Sequence, residues 1–253
     1  SVDVAFAAAV ARDMRGEAML LAAHNGDVRM AAALVAKGVP IDAYGTVDNV
    51  DSAGSRVERT ALHVAARAGD TELLEALLGA GANPCAEDSS GRDALDLATL
   101  ADSAGCVERL LRAGASAERA GAGGKSAVHL AASRGASRAL ASLLSVAPAM
   151  ASAVCSNLTP LHLAAAGNHA WCIAALVAVR AELDALAAGE HAALHLAAAQ
   201  GGGDAVAALL DGGAQVDVVS PKSGKTPLHV ACQHGNPRAA FRLLDAGASP
   251  HHV

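Results

Sequence analysis

The chain has 253 residues, a formal net charge of −6 and 53% hydrophobic residues, yet aromatic residues make up only 2%. Its apolar mass is therefore mostly Ala, Leu and Val, which suits thin, closely stacked helices. The acidic balance argues against a nucleic-acid binder, and Phe6, Tyr44, Trp171 and Phe241 are too few to form a stacking platform for bases. Cys85, Cys106, Cys155, Cys172 and Cys232 form an odd set without a C-x-x-C pair, so neither a disulfide framework nor a zinc site is indicated. Free thiols fit a reducing, intracellular compartment; the cytoplasm is the expected location, with nuclear and ciliary sites left open.

Residues 1–16 carry an apolar run with Val2, Val4, Phe6 and Val10 but no basic leader, which argues against a secretory signal. They are expected to form an N-terminal helix, either a cap or part of a repeat. From 17 to 253 one pattern returns, with starts at 17, 60, 93, 126, 159, 192 and 226, most of them 33 residues apart. Thr60-Ala61-Leu62-His63-Val64-Ala65-Ala66, Thr159-Pro160-Leu161-His162-Leu163-Ala164-Ala165 and Thr226-Pro227-Leu228-His229-Val230-Ala231-Cys232 are nearly complete copies. Ala192 to Ala198 is a fourth, Ser126 to Ala132 a fifth, and the copies at Glu17 and Asp93 replace the His by Leu20 and Asp96. One interval, from 17 to 60, is ten residues too long. The extra length falls near 45–55, rich in Asp, Ser and Gly: either a surface loop, which costs little closure entropy, or an extended finger that touches a partner.

Within one copy, Thr60 is placed to cap a helix, and Pro160 and Pro227 occupy the next position in sister copies, where a helix needs no donor. Gly69-Asp70 breaks that helix. Leu73, Leu74, Leu77 and Leu78 give a second helix its apolar face. Gly81 follows at a position able to adopt positive φ, as do Gly38, Gly114, Gly213 and Gly247. Ala147 and Arg180 break this rule and mark the least regular junctions, with Pro148 favouring a different helix ending at the first.

The period and the T-P-L-H-x-A core resemble the ankyrin repeat, over roughly residues 17–250. The resemblance implies an all-α solenoid of about seven stacked helix-turn-helix units with hairpin-like finger loops, expected to run from Glu17 to Gly247 without a domain break. It also implies that His63, His129, His162, His195 and His229 lace the turns by hydrogen bonds to backbone rather than bind metal. No cofactor and no metal site is expected.

Other apparent motifs dissolve on inspection. Gly123-Gly124-Lys125-Ser126 and Ser223-Gly224-Lys225-Thr226 look like the end of a phosphate-binding loop, but Arg119 and Val219 stand where its first Gly is needed. Ser126 and Thr226 read better as helix caps. The run 139–168 carries no formal charge, yet Pro148, Asn157 and Pro160 interrupt it, which argues against a membrane span. No arrangement of nucleophile, base and acid appears, so no catalysis is expected.

In the resembled family, partner-facing residues lie four, three and one positions before the Thr60 position and seven and eight after it. The last six copies supply thirty such positions; eight are Lys or Arg and none is Asp or Glu. The eight are Arg56, Arg59, Arg67, Arg92, Lys125, Arg134, Lys222 and Lys225, joined by His191 and His234. Glu58 and Glu190, one residue off the set, would dilute the field. The expected function is a non-catalytic scaffold binding an acidic or phosphorylated protein segment in a basic groove, with solvated basic side chains. Two rivals are a targeting portion of a larger enzyme, such as a ubiquitin-ligase substrate receptor, and a structural subunit of a cytoskeletal or ciliary assembly. Further chain or another subunit is expected to pack on at least one end.

Overall fold

The computed structural model describes residues 15–46, 57–188 and 190–250. The expected N-terminal helix over 1–16 falls almost wholly outside the described residues, as do 47–56 of the long interval and Arg56 with them. Among the described residues fourteen α-helices follow in pairs: α1 (Arg15–His24) with α2 (Val28–Ala36), α3 (Ala61–Ala68) with α4 (Thr71–Gly79), and α5 (Ala94–Leu100) with α6 (Ala104–Arg112). Then come α7 (Ala127–Arg134) with α8 (Ser137–Val146), α9 (Pro160–Ala166) with α10 (Ala170–Ala178), α11 (Ala193–Gln200) with α12 (Gly203–Asp211), and α13 (Pro227–Gln233) with α14 (Pro237–Asp245). The contacts group the chain into two compact units, residues 1–123 and 124–253. In the first, α1, α3 and α5 stack in one row and α2, α4 and α6 in another; in the second, α7, α9, α11 and α13 form one row and α8, α10, α12 and α14 the other.

The second pair shows why these residues fold this way. Thr60 stands in extended conformation before α3, and Gly69 ends the helix at φ 72°. The Asp70 carboxylate accepts the Leu73 N–H at 3.0 Å and starts α4. Leu73, Leu74 and Leu77 are fully buried, each contributing about 1.5–3 kcal/mol of transfer free energy. The first helices meet through methyl groups: Ala61, Ala65 and Ala66 are all 0% exposed. Small side chains allow close helix axes, which is the structural use of an alanine-rich, aromatic-poor composition.

The first copy starts earlier than its pattern. α1 already includes Arg15 and Gly16, so Glu17 lies inside the helix, in its first turn. Gly16 is needed there, because a Cβ would come within 1.9 Å of the Tyr44 carbonyl oxygen. The two irregular junctions differ from each other. Ala147 keeps φ at −128° and passes into a 3-10 turn, Pro148–Ser152. Arg180 instead accepts φ 60°, which costs a residue with a Cβ about 1–2 kcal/mol.

Among the described residues the fingers form isolated bridges and no strands. Cys155 pairs with Leu158 and Ala187 with His191, while Gly45 pairs with Arg59. The last pair closes the base of the long interval, with both N–H···O bonds at 3.0 Å. The uncharged run 139–168 is divided between α8, the 3-10 turn, a finger and α9. No helix among the described residues is long and apolar enough to cross a membrane.

Candidate functional site

The recurrent histidines are built into the fold. His63 Nδ1 accepts the Thr60 backbone N–H at 3.2 Å, and its Nε2 lies 3.1 Å from the Arg92 carbonyl oxygen in the next finger. An N–H on one side and a carbonyl on the other fix the neutral tautomer with the proton on Nε2. His162 repeats this with Thr159 (3.2 Å) and the carbonyls of Ala185 (2.9 Å) and His191 (3.2 Å). His195 does so with Ala192 (3.2 Å) and Lys225 (3.0 Å), and His129 bonds Ser126 Oγ (2.8 Å) and the Ala153 carbonyl (3.1 Å). Burial pushes all four below the ordinary imidazole range, more strongly than the carbonyl bonds raise them. His229 keeps its bond to Thr226 Oγ1 at 2.8 Å but is exposed. Among the described residues no group of His, Cys, Asp and Glu could hold a metal ion.

The copy at 93 solves the same problem with charge. The Asp93 carboxylate accepts the Asp96 N–H at 2.9 Å, and Asp96 stands where the histidine would be. Arg119, from the following finger, donates Nε to Asp93 at 2.7 Å, Nη2 to Asp96 and Nη1 to Glu87 at 3.0 Å. Burial first, and the Asp93 charge second, raise the Asp96 carboxyl to about 6, with Arg119 pulling the other way.

A second set of links was not visible in the repeat signature. Asp42 accepts the Asn83 N–H at 3.0 Å, Asp184 accepts that of Gln215 at 3.0 Å, and Asp217 accepts that of Ser249 at 3.1 Å. Each joins one finger to the next copy. Tyr44 adds another, donating its hydroxyl to the Glu87 carbonyl at 2.9 Å. The signal was present in the sequence, since Asp184 and Asp217 are one repeat period apart.

The basic residues divide by environment. In the 1–123 unit Arg67 is exposed at the end of α3 and Arg92 is half-buried. Arg59 corrects the expectation of a solvated side chain: it is 3% exposed, and its Nε donates to Asp88 at 3.2 Å. The Gly45 bridge draws the Arg59 backbone inward, and Asp88 waits there as a built acceptor. Burial alone would raise the Asp88 carboxyl, but hydrogen bonds from the Ser90 hydroxyl, the Arg92 and Ser90 N–H groups and Arg59 hold it below the usual range.

In the 124–253 unit the basic side chains reach solvent. Arg134 and Lys222 are exposed, and Lys125 and Lys225 are half-buried. Lys225 Nζ donates to Gln233 Oε1 at 2.5 Å, so the residue before the cap and the end of the first helix share one face in that copy. His234 is exposed at the end of α13, its Nδ1 donating to the Val230 carbonyl at 3.0 Å. His191 is half-buried and packs edge-on against His195, ring centres 5.5 Å apart. Lys222 meets Glu190 at 3.4 Å, so the acid one residue off the predicted set does reach a basic side chain.

This arrangement, helix pairs laced by a repeated Thr-His cap with fingers joined copy to copy, matches a known family. Three copies of the family model for ankyrin repeats match residues 19–120, 103–187 and 181–253. The chain belongs to the ankyrin-repeat family. Its structure is similar to the human ASB11 ankyrin repeat domain, with 26% identity over 92% of this chain and 98% of that one, at a TM-score of 0.69. It is similar also to the ankyrin repeat domain of Bcl-3, a member of the IkappaB family, with 26% identity over 90% and 97% and a TM-score of 0.71. An ankyrin repeat domain from Acinetobacter baumannii is 28% identical over 74% of this chain and 98% of that one, with a TM-score of 0.63. No curated protein sequence matches the chain. Ankyrin-repeat domains are in general protein–protein interaction modules.

Proposed function

We propose that this chain is a non-catalytic scaffold that holds an acidic or phosphorylated segment of a protein partner on the basic face of its 124–253 unit. The observation that supports this is Lys125, Arg134, Lys222 and Lys225 reaching solvent beside first helices whose equivalent positions carry no acid. Glu190 offsets Lys222 alone, and with Lys222 66% exposed that pair is weak enough to exchange for a ligand carboxylate. Arginine offers a carboxylate or phosphate two parallel hydrogen bonds, and a one-signed face speeds encounter.

The test is association of an acidic peptide with the full chain, followed by stopped-flow anisotropy at several salt concentrations. Reversing Lys125, Arg134 and Lys225 to Glu should slow association and remove most of its salt dependence, since steering charges act mainly on the on-rate. Circular dichroism should show the helices retained. Rates indifferent to the reversal would place the partner elsewhere.

A further inference from the structure

We infer that the segment held on this face is extended and carries two acidic anchors about seven to nine residues apart, with an uncharged stretch between them. This rests on the acidic-segment reading above and specifies its ligand. Arg138, Arg180, Arg238 and Arg242 lie on second helices or just past their ends, and the Lys and Arg at the partner-facing positions of the 124–253 unit are not spread evenly. Lys125 and Arg134 belong to its first copy and Lys222 and Lys225 to its last. The copies between them present Ser156, Ala166, Gly167 and Ala188 to solvent, small and without charge.

The spacing follows from the stack. From α7 through α9 and α11 to α13 there are three steps between first helices. Adjacent helix axes lie about 8–10 Å apart, so the two basic ends are separated by about 24–30 Å. An extended chain advances about 3.3 Å per residue, which gives the seven to nine residues. An acid placed midway would find no Lys or Arg at the partner-facing positions of the middle copies. Glu190 already faces Lys222 at 3.4 Å and would repel an acid that stops short of that anchor. The small residues of the middle copies let a backbone lie close to the helix ends without demanding a particular side chain. Two anchors act together only when the link between them can span the gap; a shorter link leaves one anchor unused.

The probe is a set of fluorescent peptides of equal net charge, each with two acidic pairs separated by about two, about eight or about fourteen Gly, Ser or Ala residues. Binding to the full, unaltered chain is read by anisotropy. The eight-residue spacing should bind at least about tenfold more tightly than the two-residue spacing, and the longest should fall between. Lys125→Glu with Arg134→Glu, or Lys222→Glu with Lys225→Glu, should each bring the eight-residue peptide down to the level of the short one. Equal affinity across the series overturns the two-anchor inference and leaves the acidic-segment reading standing. Failure of every acidic peptide to bind removes that reading and this inference with it. The spacing series needs no variant, so a misfolded variant cannot obscure the result.

Discussion

Arg119 donates from Nε to Asp93 at 2.7 Å and from Nη2 to Asp96, so one guanidinium does for the copy at 93 what a histidine does for its neighbours. A histidine is neutral and needs only an N–H and a carbonyl. Two buried aspartates need a cation, and the finger that follows supplies it.

Arg119→Ala should therefore destabilise the fold by about 3 kcal/mol, because it leaves two carboxylates, 2% and 3% exposed, without their counter-charge. Asp96→His in the same background should recover much of the loss by restoring the neutral cap. Urea unfolding of the two variants decides the matter. A single variant as stable as the parent would show that Arg119 is only a surface ion.

Two arginines expected to behave alike should separate. Arg59 is 3% exposed against an Asp88 side chain at 0%, so Arg59→Ala should cost on the order of 3 kcal/mol. Arg134 is exposed at the end of α7, and Arg134→Ala should leave the thermal midpoint almost unchanged. Equal midpoints for the two variants would contradict the burial difference.

Stability should fall as pH drops through the histidine range. His63, His129, His162 and His195 sit below their ordinary 6.5, so between the folded and unfolded values the unfolded chain binds more protons. Their contribution is complete above about 6.5 and is lost as pH falls towards the folded values. Asp96 acts in the opposite sense: its carboxyl, raised from 3.8 to about 6, adds stability as pH falls through that window. The unfolding midpoint should thus decline from pH 7.5 to pH 6, and Asp96→Asn should steepen the decline below pH 6. A flat profile above pH 6 would refute the histidine assignment.

The copy at 192 lacks a capping hydroxyl. Ala192 has φ −74° and ψ 162°, close to the Thr226 values of −90° and 167°. Ala192→Thr should gain about 0.5–2 kcal/mol by supplying the missing acceptor at the start of α11. A loss of stability in calorimetry would mean that the finger packs too tightly there for the extra atoms.

The sequence by itself determined the repeat and its punctuation. The 33-residue period, the Thr-His caps and the glycines after the second helices specify local geometry, and local geometry is written in neighbouring residues. Gly81 at φ 92° and the Nδ1 bond from His63 to Thr60 both lie within a few residues of their causes. Only the tertiary structure decided which charges are solvated. Arg59 and Arg134 look alike in the sequence, but one meets Asp88, 29 residues away, and the other meets water. Arg119 finds Asp93 and Asp96 across 26 and 23 residues. Such pairs form where successive fingers come into contact, and that contact depends on how far each finger bends inward over its neighbour. A charged side chain carries no mark of its depth, because its pairing is chosen by a backbone position that distant residues set.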